Sequence, residues 1–554
     1  MHAVALKTWI TQDRNTDRLL SVLVLVALVV PRLLTVSTYV TIDEHKWLAR
    51  SLAFQHALAR GDLAETYQST HPGVTTMWVG ALGHLLGCPS CLGSEALTVG
   101  AYEDYVTQEG AHPLSNLVTN RRVMIVIEAL LLWLAYHFGR ELVGQRAATL
   151  GFLFIALDPF FAAHTQILHL DGMLASLTTV WLLALVHFLQ THRAHSLALS
   201  GIAMGLSWLT KLPGALIVPA AGVMILVDLF KAGVEWPSIR RRLLWLCLLG
   251  LIGSAVYFAL WPALWISPLK WFTNMLNKTT AHVELGHASA LFFRGEIHSG
   301  GQLGLSFYPI SYVWRSSPVV LAGLVAAFVA SLKPGKHSHP ILSRHVMANL
   351  LIFVAVYGVG MSLGSHKFDR YLLPVYPPLM LLAATGWVAL ISRIVKRTLS
   401  KRHKLVGVGL LTVVVAVHGF GLVQTFPYYL SYYNPMMGGH RKAGEVFTLG
   451  WGEGLDQAAA YLNEKPDAER LKVATWYSYS FSYFFRGETR TILNRPSLGA
   501  DYLDFLLSSD YIIIYINQWQ RQIPASFVER MMAREPEHIV HIGPVPYAFI
   551  YRQD

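Results

Sequence analysis

The chain has 554 residues, of which 53% are hydrophobic and only 14% charged; a soluble domain of ordinary composition carries roughly 25%. Its apolar runs reach the ~20 residues that a helix needs to cross a bilayer, and in lipid such runs satisfy their backbone hydrogen bonds only as helices, so a polytopic membrane protein is expected. The formal net charge of +11 falls in clusters between apolar runs, which reads as membrane topology and not as a nucleic-acid surface.

The polar start, with Lys7, Arg14 and Arg18, is followed by an apolar run at 19–40. That run exceeds a signal-peptide core and lacks a small-residue cleavage site, so it reads as an uncleaved first span that begins in the cytoplasm. A first outer loop, 41–118, comes next. Further spans are expected at 120–138, 148–163, 172–190, 196–210, 213–230, 243–266, 311–332, 346–363, 373–392 and 405–424, about eleven crossings in all. Loops placed inside carry Arg140 and Arg146, Arg193, Lys231 with Arg240 to Arg242, Lys333, Lys336 and Arg344, and the group from Arg393 to Lys404. Arg121 and Arg122 fall outside against this rule, and an anionic lipid headgroup would account for them. Cys247 reads as a small core residue. Cys88 and Cys91 form a lone CPSC that does not suit a zinc ribbon; a disulfide and a pair of loop thiols both stay open.

After Gln424 the character changes. Turn signals at Tyr432 to Pro435 and Gly438-Gly439 precede a helix at Leu455 to Leu462. A strand at Leu471 to Trp476 and a buried strand at Ile512 to Ile514 follow. Residues 425–554 therefore read as a small outer α/β domain with its own core, and 1–424 as an all-α membrane domain. Obvious inverted halves are lacking, which weakens a transporter reading.

Chemistry gathers at a few points. Asp43-Glu44 lies just past the first span, where partial desolvation would raise a carboxylate toward a useful base; the alternative is an N-cap for a helix through Trp47. Asp171, in Leu168-His169-Leu170-Asp171-Gly172-Met173, offers the same choice. Lys211 is a lone cation on the outer side. In His366-Lys367-Phe368-Asp369-Arg370-Tyr371 the two cations are three apart, so on a helical turn they would grip one phosphate; interfacial snorkelling with Asp369 as local partner is the alternative. His282, Glu284 and His287 are candidates for a divalent metal, with His298 nearby, although His282 and His287 diverge on a helix. His71 would add a ligand or simply start a helix.

Taken in order, these motifs resemble the protein O-mannosyltransferase family and the bacterial enzymes that modify lipid A with aminoarabinose. The resemblance rests on Asp43-Glu44, on His71-Pro72-Gly73-Val74-Thr75-Thr76-Met77-Trp78, on Asp171, on Gly205 to Lys211 and on Lys367 to Pro374. It spans about 19–424 and departs at His71-Pro72-Gly73, where several relatives carry Lys-Pro-Pro. It implies a GT-C fold and an outer-face glycosyltransferase whose sugar donor is a polyprenyl or dolichyl phosphate. Asp43, with Glu44, would be the catalytic base, and Asp171 would orient it or the acceptor. Lys211, Lys367, Arg370 and Arg121 would hold the phosphate, and His71, His366 and Tyr371 would contact donor or acceptor. A transporter, which needs ionisable residues at mid-span breaks, and a non-catalytic lipid-binding factor are the competing readings.

Overall fold

The computed structural model describes residues 14–87, 114–271, 273–275, 277, 290–298, 303–332, 343–396, 402–495 and 497–553. His282, Glu284, His287, Cys88 and Cys91 lie outside the described residues.

Helix dominates up to Gln424, as the apolar runs require. The helices are α1 (Arg14–Leu33), α2 (Glu44–Arg60), α3 (Val74–Gly87), α4 (Leu114–Val143), α5 (Gln145–Leu157), α6 (Pro159–His164), α7 (Leu170–Thr191), α8 (Ala194–Thr210), α9 (Ile217–Ala232), α10 (Trp236–Ala259), α11 (Phe307–Arg315), α12 (Pro318–Leu332), α13 (Arg344–Leu363), α14 (Tyr376–Lys396) and α15 (Arg402–Gln424). Among the described residues seven are long and apolar enough to cross a membrane, or eight if α11 and α12, bent by 112°, form one broken span. The expected count of about eleven is higher for local reasons. The run at 148–163 is cut at Asp158-Pro159, where Asp158 caps α6. The run at 311–332 is cut at Ser316-Ser317, because the residue before Pro318 avoids helical geometry. The run at 196–210 forms α8, which at 17 residues is too short to count as a span. Cys247 sits on an exposed face of α10 and not in the core.

The buried centre is α7, whose apolar window is wholly enclosed. It packs against α4 and α8; α8 packs in turn on α10, and α14 lies between α5 and α12. Small residues allow the closest approach. A Cβ placed on Gly386 of α14 would come within 2.0 Å of the Gly323 carbonyl oxygen of α12, so the two backbones touch in the manner typical of membrane helices.

The carboxy-terminal strands β3 (Lys472–Thr475), β4 (Glu488–Thr491), β5 (Tyr511–Tyr515), β6 (His538–Ile542) and β7 (Val545–Arg552) form one sheet of order β4-β3-β5-β7-β6. β3 runs parallel to β4 and β5, while β7 is antiparallel to both β5 and β6. All five β5 residues are buried, as a β-branched run at the centre of a covered sheet should be. A short hairpin, β1 (Leu291–Phe293) with β2 (Glu296–His298), lies between α10 and α11.

The Gly386 contact gives a direct test. Gly386→Ala should cost about 1–3 kcal/mol through overpacking, read as a lower unfolding temperature in detergent. Gly409→Ala, at a helical site with open space, should leave that temperature unchanged or raise it slightly, since Ala is the better helix former.

Candidate active site

A buried ion pair sets the position of the loop between α1 and α2. The Arg121 guanidinium donates to Glu44 through Nε (2.7 Å) and Nη2 (2.6 Å), and to the carbonyls of Val36 (2.7 Å) and Tyr39 (2.6 Å). Glu44 also accepts from the Thr41 backbone (2.9 Å) and from the Leu168 N–H (3.0 Å). Both side chains are essentially inaccessible and neither lines the cavity described below. Glu44 and Arg121 are thus corrected from catalytic and phosphate-binding roles to a positioning pair. Each satisfies the other, and together they fasten the 36–44 loop to the start of α7.

That loop presents Asp43. Its carboxylate is 30% exposed, and although Asp43 occupies the N-cap position of α2 its side chain makes no capping bond. It lies 3.9 Å from His169 Nε2, 4.0 Å from Arg370 Nη2 and 4.0 Å from Lys46 Nζ. Burial alone would raise its pKa, but His169, Arg370, Lys46 and His45 together outweigh burial and hold it below the ordinary aspartate value. The expectation of a raised pKa is therefore corrected: Asp43 is a firmly ionised carboxylate.

Asp171, in the first turn of α7, is 3% exposed and ringed by basic side chains. Lys211 Nζ donates to Oδ1 at 2.6 Å, while Arg370 Nε and His169 Nδ1 each stand 3.2 Å from Oδ2. The cap position belongs to His169. Gly172 lets α7 come this close, since a Cβ there would meet the His164 carbonyl oxygen at 2.3 Å. Lys211 also lies 3.9 Å over the Tyr371 ring, and Arg370 lies 4.1 Å over Phe368 and 4.4 Å over Trp451.

Lys367 and Arg370 do not share a face. Helical geometry begins only at Asp369, as a 3₁₀ turn (Asp369–Val375) after an extended Phe368. Lys367 is turned onto the carbonyls of Leu303 (2.6 Å) and Gly304 (3.2 Å) and does not line the cavity, so its phosphate-gripping role is corrected. Asp369 pairs with Arg315 at 2.8 Å and not with its neighbours' side chains.

The cavity that unites these groups holds about 1070 Å³, and Asp43, His71, Lys211, His366, Arg370 and Tyr371 all reach it. That volume suits a large ligand. Among the lining residues to which the sequence assigned no role are His164, His169, Arg315, Trp451 and Glu453. Their signals were faint, namely polar side chains in apolar surroundings and a Trp and a Glu interleaved with glycines in Gly450 to Gly454. Among the described residues there is no group of three potential metal ligands. His298 lies in β2, with Nε2 3.2 Å from the Phe293 carbonyl oxygen.

The chain has the GT-C fold. Its structure is similar to that of ArnT from Cupriavidus metallidurans bound to undecaprenyl phosphate, at a TM-score of 0.51 and 14% identity over 97% of this chain and 98% of that one. It is also similar to the S. cerevisiae protein O-mannosyltransferase Pmt1-Pmt2 complex bound to the sugar donor, at a TM-score of 0.53 and 12% identity over 77% of this chain and 92% of that one. Residues 115–261 match the family model of dolichyl-phosphate-mannose-protein mannosyltransferases. No curated protein sequence matches the chain.

The assignment of Glu44 and Arg121 is checked by stability. Arg121→Met leaves a buried carboxylate unpaired and should cost about 3–5 kcal/mol, whereas Arg122→Met, at an exposed position, should change stability by less than about 0.5 kcal/mol. Thermal unfolding in detergent distinguishes them.

Proposed function

We propose that this chain is an inverting glycosyltransferase that moves a sugar from a polyprenyl or dolichyl phosphate to a hydroxyl acceptor at the outer face of a membrane. The observation that carries this reading is the juxtaposition of the ionised Asp43 carboxylate with Arg370 and Lys211 in one cavity, in a chain whose fold is shared with ArnT and Pmt1-Pmt2.

In this reaction the acceptor oxygen attacks the anomeric carbon as the bond from that carbon to the phosphate oxygen breaks. The acceptor proton passes to Asp43, and the electron pair of the broken bond leaves with the lipid phosphate. Arg370 and Lys211 meet the charge that develops on the phosphate, the electrostatic help such a leaving group needs. A phosphate leaves without acid assistance, so a base of low pKa suffices if it takes the proton late, when the attacking oxygen has become acidic. Asp171 acts through Lys211, Arg370 and His169 and is a positioning residue. His71, His366 and Tyr371 line the space open to the acceptor. Residues 425–554 are proposed to lie on the same outer side as the cavity.

Transfer is to be measured in nanodiscs with a panel of radiolabelled lipid-phosphate sugars and hydroxyl acceptors. Asp43→Asn should keep its affinity for undecaprenyl phosphate and lose turnover by about two orders of magnitude or more. Asn caps helices as well as Asp, so near-normal turnover in this variant would refute the base assignment. Because the Asp43 pKa is lowered, the active anion persists as pH falls; kcat/KM should stay level down to about pH 5 and drop only below the ordinary aspartate value of about 4.

Orientation is checked separately in a background lacking the native cysteines. A cysteine at the exposed Lys442 should react with an impermeant maleimide on intact cells, and one at the exposed Glu235 should not. The reverse pattern would invert the assignment.

A further inference from the structure

The parallel strands of the carboxy-terminal sheet point their carboxyl ends into the cavity. β3 is flanked by β4 on one side and β5 on the other, both parallel to it. The chain leaves β3 for β4 and then crosses to the far side of β3 to form β5, so the strand order reverses at β3. The crevice beyond the carboxyl ends at such a reversal is where open α/β sheets take their ligands. Here the residues just past each strand line the cavity: Trp476 and Tyr477 after β3, Ile492 after β4, and Asn517 and Arg521 after β5. The transfer chemistry uses none of them.

Arg521 carries the charge of this wall. It is half-buried at the end of a short helix, Ile516–Arg521. Its Nε donates to the Ala290 carbonyl at 2.6 Å and its Nη1 to Asn517 Oδ1 at 2.9 Å, while Asn517 Nδ2 donates to the Gly450 carbonyl at 3.1 Å. These bonds fix the guanidinium and use two of its five donors. No carboxylate among the described residues forms an ion pair with it. Arg370 and Lys211 are paired with Asp171, and Arg315 with Asp369. A fixed guanidinium in a cavity wall without a counter-ion calls for an anionic ligand.

Aromatic rings connect this wall to the proposed base. The Arg521 guanidinium is 5.9 Å from the Trp476 ring. Tyr477 feels the charges of Arg521, Asp43 and Arg370 together. The Tyr479 ring lies 4.6 Å from that of His45, two residues from Asp43. A ligand seated on Arg521 can therefore lay the apolar face of a sugar ring against Trp476 or Tyr477 and bring a hydroxyl toward Asp43.

We propose that this wall binds the acceptor, that the acceptor is a sugar carrying a carboxylate, and that Arg521 is the residue that selects it. The proposal rests on the lipid-phosphate glycosyltransferase reading and names the class of acceptor. Among the described residues Arg521 is the one Lys or Arg that the chain after Gln424 brings to the cavity, and its single charge matches one carboxylate. A phosphate monoester would bring a second negative charge with no cation on this wall to meet it. Glu453, which the same segment contributes, is turned onto the Trp451 N–H, and burial shifts it toward the protonated form. An extended peptide fits less well. β4 is the edge strand to which a peptide would add, and the cavity reaches only its last residue, Thr491.

The test is calorimetric titration in nanodiscs with the methyl glycosides of glucose, glucuronic acid and glucose 6-phosphate, which share a ring and differ in charge, and with an acidic tripeptide. Wild-type protein should bind the glucuronoside about tenfold more tightly than the glucoside, the factor that one charge-assisted hydrogen bond supplies, and more tightly than the 6-phosphate or the peptide. Arg521→Gln should bind undecaprenyl phosphate and the glucoside as wild type does and lose that preference, while Arg521→Lys should keep part of it. Unchanged lipid binding shows that the variants are folded. Equal affinity of wild type for glucuronoside and glucoside, a full preference retained in Arg521→Gln, or tighter binding of the 6-phosphate or the peptide would each overturn the acceptor site. Failure of wild-type protein to bind undecaprenyl phosphate would instead overturn the glycosyltransferase reading beneath it.

Discussion

A carboxylate that is 3% exposed must be paired to remain ionised inside a protein, and the pairing of Asp171 organises this molecule. Lys211 comes from the end of α8, Arg370 from the turn before α14 and His169 from the link into α7. All three meet at one carboxyl group. None of these segments can shift without leaving a buried charge unmatched. The arrangement also divides the charge usefully. Arg370 stands within ion-pair range of both Asp171 and Asp43 while its guanidinium lies against the cavity, so it can bridge a ligand's negative charge and the carboxylate proposed to take the acceptor's proton.

A second buried pair, Glu44 with Arg121, does for the loop what Asp171 does for the helices. It sits one residue from Asp43 and holds that residue in place without touching the cavity. Adjacent acidic residues thus serve opposite ends: one is fully desolvated and fixed, the other 30% exposed and reachable. The carboxy-terminal segment completes the enclosure. Trp451 covers Arg370 and His169, and the Tyr429 hydroxyl donates to the Pro31 carbonyl at 3.1 Å, so this segment is joined to the helices and contributes one wall of the cavity.

Much of this was legible in the sequence. The apolar runs predicted the helical membrane part, and Leu455 to Leu462, Leu471 to Trp476 and Ile512 to Ile514 predicted three elements of the α/β segment that the structure contains. Asp43, Asp171, Lys211 and Arg370 were singled out by their places beside the apolar runs and by the family resemblance, and they do converge. What failed was whatever depends on pairing at a distance. Glu44 and Arg121 are 77 positions apart, so nothing local showed that each consumes the other. The direction of the Asp43 pKa shift turned on His169 and Arg370, which arrive from elsewhere in the fold. Lys367 was misjudged because a helical turn was assumed where the backbone is extended until Asp369. Glu453 and Trp451 were passed over because a glycine-rich loop looks the same in sequence whether it is exposed or closes a site.

In the proposed mechanism Arg370 and Lys211, poised on Asp171, form the phosphate site. The most direct measurement is the affinity of the purified protein for undecaprenyl phosphate, compared among wild type, Lys211→Met and Arg370→Met, with unfolding temperatures taken in parallel. Each substitution removes one cation facing the cavity, and a lost charge-assisted contact of about 1.5–3 kcal/mol corresponds to an affinity weaker by a factor of about 10–150. That loss in folded variants, together with little effect of Lys367→Met, is the predicted result. Equal affinity in wild type, Lys211→Met and Arg370→Met would show that neither cation holds the lipid phosphate.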